Sequence, residues 1–162
     1  MNRLSYFKLA LLLVVHFIIA MSETAFAAPW GSAESVEIDY KPQKVLYDLT
    51  TGDKSELSSI FDRLSFLYKL YGSNPFDSSI VVVVHGDAIP FFAIKNYKKH
   101  KTLMERAQSL SVGTTIDFRM CEANAKMMNL NPEDIHGFVT MVPMADAELV
   151  RLQLEEGYAY LR

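Results

Sequence analysis

Five β-branched residues in a row, Ile80-Val81-Val82-Val83-Val84, constrain this chain more than any other feature. A strand with one solvated face alternates apolar and polar side chains, whereas an unbroken run of this kind fits a strand buried on both faces at the centre of a parallel sheet. Such a strand needs cover above and below. Parallel neighbours also need crossover connections, so helices are expected before and after it.

The rest of the chain supplies them. Gln43–Thr50 reads as a first strand, broken by Thr51-Gly52-Asp53. Asp53 followed by Glu56 has the spacing of a capping box, and Leu57, Ile60, Phe61, Leu64, Leu67, Tyr68 and Tyr71 then recur at helical spacing up to Gly72. Ser78–Val84 is the second strand, closed by His85-Gly86-Asp87. Ala88–Tyr97 is apolar around Ile89, Pro90, Phe91 and Phe92, and Lys98–Leu110 reads as a helix with Leu103, Ala107 and Leu110 inward. Gly113 turns the chain into a third strand over Thr114–Met120, where Ile116, Phe118 and Met120 alternate, and Glu122–Met128 is helix-prone. Asn131-Pro132 opens a short helical turn, Phe138–Val142 is a fourth strand ended by Pro143, Ala145–Glu156 is a helix, and Gly157 releases Tyr158–Leu161 as a fifth strand. This alternation calls for an α/β domain with a mostly parallel five-stranded sheet.

The N-terminal segment has a different character. Arg3 and Lys8 precede an apolar run from Leu9 to Ala20, and Ala25-Phe26-Ala27 places small residues where a signal peptidase reads them. Residues 1–27 are therefore read as a signal peptide cut before Ala28, residues 28–41 as a flexible leader and residues 42–162 as one domain. The apolar run is shorter than the ~20 residues that span a bilayer, so no stable membrane anchor is expected. The protein is expected in the periplasm or outside the cell. With 16 Lys and Arg against 19 Asp and Glu, the chain carries no basic excess that would suit nucleic acid.

Function is sought at the carboxyl ends of the strands, where ligands of open parallel sheets bind. Cys121, the only cysteine, stands where the third strand hands over to a helix. Unpartnered N–H groups at a helix start favour a thiolate, and a single thiol has no internal disulfide partner in an oxidising compartment. It is either a working thiol or a small buried hydrophobe. His85 is placed to take the thiol proton and Asp87 to fix the imidazole tautomer. The alternatives are a strand-end histidine, a turn-capping Asp87 and a Gly86 required for positive φ. Asp53 reads as a cap. Phe91 and Phe92 belong to a run too apolar to leave bare and read either as core or as an oligomer contact, the second being preferred, with a small-ligand site between subunits as the runner-up. Lys95, Lys98, Lys99, His100 and Lys101 read as a solvated helix start. His85, His100 and His136 lack metal-ligand spacing, and the chain has no Gly-rich phosphate loop, so neither metal nor cofactor is called for.

Three stretches together resemble the DsrE/DsrF-like family. They are the buried strand ending in His85-Gly86, Cys121 at its strand-to-helix junction, and Ala147-Glu148-Leu149-Val150-Arg151-Leu152-Gln153 leading to Glu156-Gly157-Tyr158-Ala159-Tyr160. The resemblance covers residues 43–162. It implies a three-layer α/β/α sandwich, assembly into homo-oligomers such as trimers or hexamers, and sulfur carried as a persulfide on Cys121 between a donor and an acceptor protein. The chain has Met128-Asn129 where relay members of the family show Arg-Gly.

Overall fold

A computed structural model of the chain describes residues 30–74, 76, 79–112 and 116–162. The segment expected to be a signal peptide, the first two residues of the expected leader, Ser78 and the turn expected at Gly113 and Thr114 lie outside the described residues. Residues 30–43 form no regular secondary structure, and a compact unit spans Asp39–Arg162.

Within that unit β1 (Lys44–Leu49), β2 (Ser79–Val84), β3 (Ile116–Cys121), β4 (Val139–Val142) and β5 (Ala159–Leu161) form one sheet in the order β4-β3-β2-β1-β5. Every neighbouring pair is parallel. The β-branched run is central, and Ile80–Val84 are each at most 1 % exposed. Successive side chains point to opposite faces. Ile80, Val82 and Val84 enter the larger core beneath α1 (Lys54–Leu70) and α2 (Tyr97–Ser111), while Val81 and Val83 enter a smaller core with Ala145 and Leu152 of α4 (Ala145–Glu156). The short α3 (Glu122–Met127) follows β3 directly and adds Ala125 to the larger core.

Local chemistry fixes the helix ends. Asp53 Oδ1 accepts from the Glu56 N–H at 2.7 Å, which caps α1. The reciprocal half of the capping box runs through Thr51: the Glu56 carboxylate bonds the Thr51 hydroxyl, whose oxygen accepts from the Asp53 N–H at 3.1 Å. Gly157, at φ 73°, ends α4 in the left-handed conformation that glycine adopts without a side-chain clash.

Two expectations are corrected. The Ile89–Phe92 segment is not a bare surface awaiting a second copy, because Ile89 and Phe92 are fully buried and Phe91 is 6 % exposed in the chain's own core. It lies in a 3₁₀ helix, Gly86–Phe92, that folds back over the strand ends, so that Phe92 packs on Phe118 and Phe138 with ring centroids 5.8 and 6.3 Å apart. His100 does not share the solvation of its basic neighbours. It is 8 % exposed and meets the Phe91 ring edge-on at 4.6 Å, at a point where α2 departs from helical geometry (φ −118°, ψ 19°).

Candidate functional site

The sheet register brings Cys121 and His85 to the same edge. Val84 pairs with Met120, so His85 and Cys121 are the next residues along adjacent strands, at their carboxyl ends. Cys121 shares the α4 face with Val81 and Val83, and His85 follows Val83 by two residues, which puts it on that face as well. On β1 the same parity selects Asp48, two residues past the buried Leu46.

Asp48 is the partner of His85. His85 Nε2 lies 2.6 Å from Asp48 Oδ1, with side chains 22 % and 12 % exposed, and the Tyr160 hydroxyl of β5 donates to Asp48 Oδ2 at 2.6 Å. An ionised carboxylate only accepts, so in the neutral imidazole Nε2 carries the proton and Nδ1 keeps its lone pair. The hydrogen bond to Asp48, together with partial burial and the carboxylate charge, raises the Tyr160 pKa above its ordinary value, which keeps the phenol protonated as a donor.

Asn124 joins this group to the thiol. Its backbone N–H donates to Cys121 Sγ at 3.4 Å, which makes the sulfur the cap of α3, and its side-chain Oδ1 accepts from the Gly86 N–H at 2.5 Å. Gly86 has φ 57°, a conformation that side chains resist, and it turns the chain immediately after His85. Cys121 is 5 % exposed. The sulfur thus has a small buried site with one N–H donor, on a strand next to an oriented imidazole. A cavity of about 330 Å³ lies between the end of β1 and α1, lined by Asp48, Thr50, Thr51, Ser59, Arg63 and Arg162.

An ion-pair chain secures α4 over this face. Arg119 donates from Nε to Asp117 at 2.7 Å and from Nη1 to Glu148, and Arg151 donates to both Glu148 oxygens at 2.9 and 2.8 Å. The hydrogen bonds from Arg151, then those from Arg119, outweigh burial and hold the Glu148 pKa down at about 2.

Of the residues expected at the site, Cys121, His85 and Gly86 come together. Asp87 takes no part in fixing the imidazole, since Asp48 has that place, and it lines a separate cavity together with Phe91. Phe92 is core, and Asp53 is a cap. Asp48, Asn124 and Tyr160 escaped the sequence reading. A signal was present for Asp48, an acidic residue at a buried-face position of the first strand, and for Asn124, three residues past a capping cysteine. Among the described residues no three His, Cys, Asp or Glu side chains gather as metal ligands.

Neither a protein-family profile nor a curated protein matches the chain. Among solved structures it is similar to MTH1491 from Methanobacterium thermoautotrophicum, a protein of unknown function, at 20 % identity and a TM-score of 0.62. The alignment covers 74 % of this chain and 98 % of that one. What the two share is a fold. The likeness agrees with the five-stranded parallel sheet flanked by helices on both faces.

Proposed function

We propose that the chain is an exported DsrE/DsrF-like protein that carries sulfane sulfur on Cys121. The observation that supports this reading best is the Asn124 bridge, which holds Cys121 Sγ and the turn after His85 in one unit. In the step envisaged, His85 Nδ1 takes the Cys121 proton and the thiolate attacks the outer sulfur of a small persulfide, R–S–SH. A bond forms between Sγ and that sulfur, the S–S bond of the donor breaks, and R–S⁻ leaves and takes the proton back from the imidazolium. No net oxidation occurs. The 5 % exposure of Cys121 favours a compact donor. Export rests on the signal-peptide pattern in residues 1–27. Self-assembly rests on the family resemblance, and its contact is sought among exposed side chains such as Phe66, Met127 and Leu154 rather than at Phe92.

Intact-mass spectrometry of exported protein treated with a low-molecular-weight persulfide tests the reading. A chain beginning at Ala28 and heavier by one sulfur atom is expected for wild type, with no sulfur gain for Cys121→Ser and slower gain for His85→Ala. An unmodified Cys121 in folded protein would reject sulfur carriage, retention of residues 1–27 would reject export by this route, and a monomer in light scattering would reject self-assembly.

A further inference from the structure

A second cavity lies at the carboxyl ends of β1 and β2 but on the α1–α2 side of the sheet, with a volume of about 520 Å³. That size suits a small ligand. Gly52 after β1, Lys54 at the start of α1, Asp87 after β2, and Lys99 and His100 of α2 line it, with Pro90 and Phe91 as the apolar wall. Its polar groups are unusually open. Neither Lys54 nor Lys99 forms an ion pair with a carboxylate among the described residues, and the buried Nδ1 of His100 has no hydrogen-bond partner. An unpaired nitrogen on a ring 8 % exposed is costly, and because Nδ1 is itself covered, the ring has to turn towards the cavity that it lines before an occupant can become its partner.

We propose that this cavity binds a small oxyanion that keeps a proton on oxygen, of the hydrogen phosphate class. Two ammonium groups supply the attraction and the imidazole supplies a directional N–H. Burial, then the charges of Lys99 and Lys54, lower the His100 pKa, so the ring acts near neutrality as a neutral donor rather than as a third cation. Asp87 sets the selectivity. A carboxylate facing a bound anion repels a fully deprotonated one but accepts a hydrogen bond from an anion that still bears O–H. Gly52 leaves room for Asp87 at the cavity: a Cβ at residue 52 would stand 3.0 Å from Asp87 Cβ. The inference is independent of Cys121 chemistry.

Calorimetric titration of the intact protein with inorganic phosphate and with sulfate, at neutral pH and matched ionic strength, tests it. Phosphate is expected to bind at least roughly tenfold more tightly than sulfate, to shift the His100 ring resonances in NMR spectra, and to bind roughly tenfold more weakly to Lys99→Met. Asp87→Asn is expected to narrow the gap between the two anions. Absence of saturable phosphate binding, or equal affinity of the wild type for sulfate, would overturn the proposal; that comparison needs no variant to fold.

Discussion

Asn124 does two things with one residue: its backbone caps with the help of Cys121, and its side chain holds the backbone of Gly86. Removing the side chain leaves the Gly86 N–H without its acceptor, which costs about 1–2 kcal/mol at a half-buried site. Asn124→Ala is therefore expected to lower stability in urea by that amount, and Asn124→Asp, which keeps an acceptor, to recover most of it; equal losses in the two variants would show that the Gly86 contact is not responsible. The legibility of the site follows the same division. Cys121 and His85 stand out because their chemistry is rare and their strands visibly end there. Asp48 and Tyr160 do not, because their roles arise from a contact between residues 112 positions apart, which neither residue announces locally.

At the scale of elements, periodicity carried most of the fold. α1 and α4 lie where apolar spacing and caps put them, and the β-branched run is the central strand. The segment Gly86–Phe92 leaves core and oligomer contact both open in the sequence for a physical reason: an apolar run without a 2.0 or 3.6 period must be covered, but nothing in it says whether by its own core or by another molecule. The ring cluster of Phe61, Phe92, Phe118 and Phe138 supplies the answer. Phe92→Ala is accordingly expected to cost about 3–5 kcal/mol of unfolding free energy. Denaturant titration checks this, and a loss below about 1 kcal/mol would mean that the segment is not core.

For the whole molecule, the two faces of the sheet are held differently. The α1–α2 face relies on a large apolar core, whereas the α4 face has a small one supplemented by the Glu148 ion pairs. Glu148 binds its proton far less readily in the folded chain, at about 2 against an ordinary 4.5. Its contribution is thus complete above pH 4.5 and is lost as pH falls towards 2. Glu148→Gln is expected to be less stable by on the order of 2 kcal/mol at pH 7, with the deficit vanishing near the acid end. Unfolding curves of wild type and variant that stay parallel down to pH 2 would contradict this. The strand order has a further consequence in time. β5 pairs with β1, so the first strand to be synthesised waits for the last, and Asp48 receives the Tyr160 hydroxyl only when that late docking is complete. Until then the carboxylate that orients His85 lacks its second donor. Completion of the histidine's setting is thereby coupled to completion of the fold, and a chain that still lacks β5 has an imidazole whose orienting carboxylate is held by one donor fewer.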